Sequence, residues 1–129
     1  MPSTKDRGEA WELKGLRVLV AEDAWHVAKA LTSTLEGAGM VVVGPAASMA
    51  DAKRLAAEQA PELAVVDINL KGELAYDFVE ELHARGVQVV VVTGYAVPPN
   101  SVEKAAAVLQ KPISDAQLLA TLRQVMRRG

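Results

Sequence analysis

The sequence predicts an α/β fold, a doubly wound five-stranded parallel sheet with helices on both faces. Apolar runs without polar alternation, such as residues 63–66 and 87–92, suit strands that are covered on both sides. Segments with apolar residues at helical spacing alternate with these runs, and this alternation is typical of parallel strands joined by right-handed crossovers. The 129 residues, 50% of them apolar, suffice for one domain with a hydrophobic core.

The predicted elements alternate along the chain. Residues 1–15 are polar and mixed in charge, which predicts a leader that is flexible or forms one short turn, and residues 16–129 form the domain. Strands are predicted at 16–21, 40–44, 63–67, 87–92 and 108–110, and the helices between and after them begin near Ala24, Ser48, Ala75, Ser101 and Ser114. The fourth helix, from Ser101 to Ala107, has few large apolar residues, so we expect it to be short and mobile.

Composition excludes several classes of function. A net charge of −2 gives no basic field for nucleic acid, and the absence of cysteine excludes a disulfide framework and a thiolate metal site. The start of the chain lacks the apolar core of a signal peptide, and no apolar run is long enough to span a bilayer. These features predict a cytoplasmic protein that binds neither nucleic acid nor membrane.

Polar groups that could take part in chemistry stand at the ends of four predicted strands. Glu22 and Asp23 follow the first, Asp67 ends the third, Thr93 follows the fourth and Lys111 follows the fifth. With the strand order 2-1-3-4-5, the first and third strands are neighbours at the switch point, so Asp23 would lie beside Asp67. Carboxylates this close need a cation, and oxygen ligands without histidine or cysteine suit Mg²⁺ or Mn²⁺.

A cation among these acids would allow the pocket to accept an anion such as a phosphoryl group. Asp67 could act as a carboxylate nucleophile, while Thr93 and Lys111 contact the phosphoryl oxygens. Taken alone, each motif has a simpler interpretation: an acid at a helix start, a turn residue or a solvated lysine. It is their co-location at one sheet edge that indicates a site.

The set Glu22-Asp23, Asp67, Thr93 and Lys111-Pro112, in that order, resembles the receiver domain of two-component response regulators, from Leu16 to the C-terminus. The resemblance implies the CheY-like, flavodoxin-like (βα)5 fold. It also implies that Asp67 is the phospho-acceptor, and that Asp23, Asp67 and the Asn69 carbonyl hold Mg²⁺ while Glu22 supports the metal's waters. Thr93 and Lys111 would then contact the phosphoryl group, and the Lys111–Pro112 bond would be cis.

The stretch Val92-Thr93-Gly94-Tyr95, with residues 109–112, is similar to a subgroup of mostly single-domain alphaproteobacterial receivers called the FAT GUY type, although Val91-Val92 stands where that group has Phe-Ala. Many receivers carry a switch tyrosine or phenylalanine three residues before the lysine, and this chain has Val108 there. We therefore predict that Tyr95, together with Thr93, forms the switch instead.

The resemblance implies a single-domain response regulator, a monomer or weak dimer. It would accept a phosphoryl group on Asp67 from a sensor histidine kinase or a histidine phosphotransfer protein and signal through contact with a downstream protein partner. It would not be an enzyme beyond its own phosphorylation and dephosphorylation. One alternative is a receiver-like binding module that works without phosphorylation. Another is a phosphatase or phosphotransferase with an aspartyl intermediate, against which stand the missing cap insertion and the amide at Asn69.

Overall fold

The computed structural model describes residues 13–95 and 102–128 and shows the predicted five-stranded parallel sheet. The elements are β1 (Arg17–Ala21), α1 (Trp25–Gly37), β2 (Val41–Ala46), α2 (Met49–Gln59), β3 (Leu63–Asp67), β4 (Asn69–Leu70), β5 (Glu73–Leu74), α3 (Tyr76–Ala84), β6 (Gln88–Thr93), β7 (Ala107–Gln110) and α4 (Asp115–Arg128). The main sheet has the order β2-β1-β3-β6-β7, which is 2-1-3-4-5 when only its own strands are counted. The predicted flavodoxin-like fold is confirmed.

The sheet has a hydrophobic layer on each face. Helices α2 and α3 cover one face with side chains that include Ala52, Phe78 and Leu82. Helices α1 and α4 cover the other, where Leu35 and Leu122 are fully buried. Because both faces are covered, every residue of the central strand β3 is buried, which explains its unbroken apolar sequence.

Strand β3 sets the position of the site. It pairs in parallel with β1, where Ala21 lies opposite Val66, and with β6, where Asp67 lies opposite Val92. The carboxyl ends of the three strands therefore meet at one edge of the sheet. This juxtaposition brings the residues that follow β1, β3 and β6 together, as the predicted strand order requires.

A β-hairpin follows Asp67 where the sequence predicted a plain loop. Strands β4 and β5 pair antiparallel, with Asn69 opposite Leu74 and Leu70 opposite Glu73. The hairpin is attached to the core through Leu70, which is buried, and through the Ala75 N–H, which donates to the Ile68 carbonyl at 2.8 Å. Two-residue strands leave too short a pattern for period-two alternation to be recognised.

Strand β2 continues past Gly44, where the sequence predicted its end, to Ala46. Pro45 lacks an N–H, which an edge strand tolerates because its outer side needs no donor. Gly44 has a φ of +102°, and the Gly44–Pro45 bond is cis. The register of β2 against β1 shifts between Leu19 and Ala21, so this irregular end is accommodated without breaking the sheet.

The helix predicted from Ser101 to Ala107 is wrong over its described part, residues 102–107; its start lies outside the described residues. Residues 102–104 form a turn, in which the Ala105 N–H donates to the Val102 carbonyl at 3.2 Å. The Ala106 N–H already donates to the Val89 carbonyl of β6, and β7 begins at Ala107. A segment this short cannot offset the cost of helix nucleation.

Leu13 belongs to the core although the sequence placed it in a leader. Its side chain has no exposed surface and joins the cluster that contains Leu35, Met40 and Leu122. The next turn is attached to the end of α1, because the Gly15 N–H donates to the Gly39 carbonyl at 2.8 Å. Within the described ranges, no helix combines the length and apolar character needed to cross a membrane.

Candidate functional site

Lys111 joins the ends of three strands. Its Nζ lies 2.8 Å from Asp67 Oδ2, at the end of β3, and 2.7 Å from Glu22 Oε1, just after β1. Its backbone N–H donates to the Thr93 carbonyl at the end of β6, at 2.7 Å. The fold thus brings together the predicted site residues around one ammonium group.

Three carboxylates lie close together beside Lys111 and form an acidic pocket with it. One oxygen each of Glu22, Asp23 and Asp67 lies within 4.8 Å of the others. Glu22 is 1% exposed and Asp67 is 6% exposed, whereas Asp23 is half-buried. Like charges this close in a site of reduced dielectric are unfavourable without a compensating cation.

The acids differ in how readily they ionise. Burial raises the pKa of Glu22, and the neighbouring Asp67 charge adds to this, while the contact with the Lys111 ammonium and the hydrogen bond from the Ala24 amide only partly oppose it. Burial works against the charge on Lys111 as well, but its hydrogen bond to Asp67 and its ion pair with Glu22 outweigh this effect and raise the pKa of the lysine. Lys111 therefore remains protonated, and Glu22 holds its proton more tightly than a free glutamate does.

Asp23 ionises more easily than a free aspartate, because its pKa is lowered. Burial would raise its pKa, but the hydrogen bond from the Lys71 amide leads a set of opposing contributions that lower the pKa overall. The Lys71 N–H lies 3.0 Å from Asp23 Oδ2. The Asp23 carboxylate is thus ionised and, because it is only half-buried, accessible from solvent.

The donor set fits a small, hard cation. All three groups offer carboxylate oxygens, which Mg²⁺ and Mn²⁺ prefer, and the cluster contains no nitrogen or sulfur donor. Glu22 Oε1 is buried without a hydrogen-bond partner, because its close contact with Lys111 lacks hydrogen-bond geometry. The 2.7 Å contact with the Lys111 ammonium compensates part of this charge, and a proton or a bound cation would compensate more of it.

Asn69 links Asp67 to the hairpin, a connection that the sequence analysis missed. Its N–H donates to Asp67 Oδ1 at 3.0 Å, and its side-chain Oδ1 accepts the Gly72 N–H at 2.8 Å. The dipeptide Lys71-Gly72 was the available signal, since glycine is common in two-residue hairpin turns. The role of the Asn69 carbonyl as a metal ligand stays a prediction.

Thr93 and Tyr95 are connected through the backbone. Thr93 is buried, and its Oγ1 accepts the Tyr95 N–H at 3.0 Å, while the Tyr95 side chain is 66% exposed. Val108 is also exposed, on the edge strand β7. The Lys111–Pro112 bond is cis, as expected from the resemblance. The switch role of Thr93 and Tyr95 stays a prediction.

The comparison with family models identifies the chain. A model of the response regulator receiver domain matches residues 18–123, which is most of the sequence. The chain belongs to the response regulator receiver domain family. All of the predicted site residues of this receiver domain, from Glu22 to Lys111, lie within the matched range. A search of curated proteins found no significant match.

Solved structures support the assignment of the fold. The receiver is similar to a CheY-like receiver domain from Methanospirillum hungatei JF-1, with 26% identity, a TM-score of 0.81, and coverage of 89% of this chain and 96% of the other. The response regulator PhyR from Brucella abortus is also similar, with 24% identity and a TM-score of 0.81. The alignment covers 97% of this chain and 53% of PhyR. This receiver thus spans about half the length of PhyR.

A third similar structure contains ligands. It is a response regulator from Burkholderia pseudomallei with a phosphorylated aspartic acid, a calcium ion and citrate; the identity is 26%, the TM-score 0.76, and the coverage 88% of this receiver and 69% of that chain. None of these comparisons distinguishes the FAT GUY subgroup, which stays a prediction.

Proposed function

We propose that this receiver domain accepts a phosphoryl group on Asp67, in a Mg²⁺-dependent reaction, from a phosphohistidine of a sensor histidine kinase or histidine phosphotransfer protein. The observation that carries the proposal is the position of the Asp67 carboxylate at the end of β3, between the Lys111 ammonium and two further carboxylates. The phosphorylated aspartic acid and calcium ion in the similar Burkholderia protein support it. Carboxylate nucleophile, cation site, ammonium and hydroxyl are the parts that phosphoryl transfer to an acid requires.

In the proposed transfer, an Asp67 oxygen forms a bond to phosphorus as the P–N bond of the phosphohistidine breaks. The electron pair of that bond returns to the imidazole nitrogen, which takes up a proton from solvent. Both Asp67 oxygens are held in place beforehand, Oδ1 by the Asn69 N–H and Oδ2 by Lys111 Nζ. This arrangement lowers the orientational cost of in-line attack.

Lys111 and Thr93 have distinct tasks in this proposal. The ammonium shifts from Asp67 Oδ2 to a phosphoryl oxygen, a short movement because the phosphorus that carries the new oxygens is bonded to the same carboxylate. The Thr93 oxygen already accepts the Tyr95 N–H, so its hydroxyl hydrogen is the group that donates to the phosphoryl group. That donation would involve the same hydroxyl group that accepts the Tyr95 N–H. Thr93 and Tyr95 are therefore the proposed switch.

Glu22, Asp23 and Asp67, with the Asn69 carbonyl, would hold the Mg²⁺, which supplies charge neutralisation for the phosphoryl oxygens. The field of the acidic pocket would otherwise repel a phosphoryl group. The pocket's own cation, Lys111, is paired with two of the three acids, so a second cation is needed before it can leave them.

The domain is proposed to act through contact with a downstream protein partner in the cytoplasm. The exposed Tyr95 side chain is the part of the proposed switch that a partner could contact. If Tyr95→Ala leaves phosphorylation-dependent binding to that partner unchanged, Tyr95 has no part in the switch. The measurement requires the partner, the wild type and the variant, each with and without phosphodonor.

Intact mass after incubation with a small acyl phosphate tests the phosphorylation itself. Wild type with Mg²⁺ is expected to gain one phosphoryl group, and Asp67→Asn is expected to gain none because an amide oxygen is a poor nucleophile. Asp77→Asn, an exposed acid on α3, is the matched control and should behave as wild type. No gain in wild type would favour the binding module that works without phosphorylation, and turnover of an added phosphate ester would favour the phosphatase.

A further inference from the structure

The turn between β4 and β5 has a backbone conformation that most side chains avoid. Its two central residues, Lys71 and Gly72, have φ values of +51° and +86°. Positive φ at both positions is what a type I′ hairpin turn requires, and glycine, asparagine or aspartate usually occupy it. A lysine there is unfavourable, so interactions of the turn with its surroundings must keep this conformation.

The turn directs the Lys71 amide at an acid of the cluster and the Gly72 amide at the side chain of Asn69. The Lys71 N–H donates to Asp23 Oδ2 at 3.0 Å, across 48 positions of sequence, and the Gly72 N–H donates to Asn69 Oδ1 at 2.8 Å. The Asn69 N–H in turn donates to Asp67 Oδ1 at 3.0 Å. Three hydrogen bonds thus connect Asp67, the turn and Asp23 in one chain.

Asp23 needs this support more than the other two acids do. Lys111 Nζ pairs with Glu22 and Asp67, and these two contacts hold their side chains in place. Asp23 is the more exposed acid and lies in the loop before α1, where rotation would turn its carboxylate to solvent. The Lys71 amide fixes one of its oxygens, and one oxygen of this carboxylate lies within 4.8 Å of oxygens of Glu22 and Asp67.

We propose that the Lys71-Gly72 turn is a positioning element that holds Asp23 toward the cation and so sets the affinity of the domain for divalent ions. The inference rests on the proposed function, because it concerns the same cation site. Lys71 acts through its backbone, and its ammonium group is not required. A hydrogen-bonded partner of a metal ligand typically contributes roughly 10-fold to 100-fold in metal affinity.

A pair of variants separates the backbone from the charge. Lys71→Gly and Lys71→Val both remove the ammonium group, but only glycine adopts positive φ freely, whereas a β-branched residue is strongly disfavoured there. Calorimetric titration with Mg²⁺ alone should give Lys71→Gly an affinity close to that of wild type and Lys71→Val an affinity about tenfold weaker. Ala60→Val is the matched control, because Ala60 has a φ of +43° at the exposed end of α2.

A second readout needs no metal. In amide hydrogen exchange without Mg²⁺, the Lys71 amide of wild type should be protected, and Asp23→Ala should accelerate its exchange about tenfold, as expected for loss of a hydrogen bond to a charged group. Equal Mg²⁺ affinities for Lys71→Gly and Lys71→Val, or a Lys71 amide indifferent to Asp23→Ala, would overturn the inference while the proposed function stands. Failure of wild type to bind Mg²⁺ would overturn the proposed function, and the inference with it.

Discussion

At the scale of single residues, the pocket is governed by an imbalance of charge. One ammonium group, on Lys111, stands against the carboxylates of Glu22, Asp23 and Asp67, and it contacts two of them. The glutamate is fully buried and has a raised pKa for that reason. Such an arrangement favours cation binding at the expense of the stability of the cation-free protein, a compromise that is common at functional sites.

Lys111→Met should reveal how much the lysine stabilises the metal-free fold. Removing one partner of a buried ion pair leaves uncompensated charge, so the free energy of unfolding should fall by roughly 3 kcal/mol. Mg²⁺ should restore part of this loss, because it neutralises the same carboxylates. Urea unfolding with and without Mg²⁺ measures both effects. The control is Lys104→Met, at an exposed turn, and an equal loss in that variant would contradict the assignment.

Glu22→Gln should stabilise the metal-free protein at pH 7.5. The pKa of Glu22 is raised above its ordinary value of 4.5, so the folded protein binds this proton more tightly than the unfolded chain does. The stability that Glu22 contributes is complete below pH 4.5 and is lost as pH rises through the folded pKa. Glutamine removes that loss, so we expect the free energy of unfolding at pH 7.5 to rise.

Urea unfolding between pH 4 and pH 8 measures the effect of Glu22→Gln. The gain should shrink as the pH falls, and Glu36→Gln, an exposed glutamate on α1, should show no such trend. A variant less stable than wild type at pH 7.5 would mean that the ionised glutamate stabilises the metal-free fold.

At the scale of elements, the strands and helices with long hydrophobic patterns could be predicted from the sequence, whereas the shortest elements were missed. The apolar run of β3 and the strand order were correct, and with them the meeting of Asp67 with Lys111, because parallel strands share one functional edge. The β4–β5 hairpin was missed because two residues carry no periodicity. The contact between the Lys71 amide and Asp23 could not be foreseen, since it depends on backbone direction rather than residue type.

Gly44→Ala should destabilise the sheet at its β2 edge. A Cβ added there would lie 2.8 Å from the Ala46 nitrogen and 3.0 Å from the Val20 carbonyl oxygen, and the φ of +102° disfavours any side chain. We expect a loss of about 2 kcal/mol in the free energy of unfolding. The matched control is Gly37→Ala, whose Cβ meets nothing within 4 Å, and it should be neutral or slightly stabilising. Equal effects in the two variants would contradict the steric argument.

At the scale of the whole molecule, the cation site and the fold are linked through β1 and β3. All three acids lie at or just after the carboxyl ends of these strands, which also carry side chains into both hydrophobic layers, as Leu19 and Val20 do on β1. An ion that binds only the folded arrangement of the acids therefore stabilises the entire domain, since the unfolded chain does not bring them together.

Mg²⁺ should raise the thermal midpoint of the wild type. At a concentration ten times its Kd, the gain in the free energy of unfolding is about 1.4 kcal/mol, which corresponds to roughly 5 °C for a domain of this size. Differential scanning calorimetry with MgCl₂, against NaCl at equal ionic strength, separates binding from charge screening. The shift should be much smaller in Asp23→Ala. A similar shift in both proteins would place the ion elsewhere.

Leu13 determines where this domain can be cut. Its side chain has no exposed surface and is part of the hydrophobic layer that α1 and α4 form on one face of the sheet. Cleavage by a protease between Leu13 and Leu16, or a shortened gene that starts there, would remove this side chain and leave a cavity in the core. We expect the free energy of unfolding to fall by about 3 kcal/mol. Removal of residues that precede Leu13 leaves this buried side chain in place, so a tag or fusion partner is better joined upstream of Leu13.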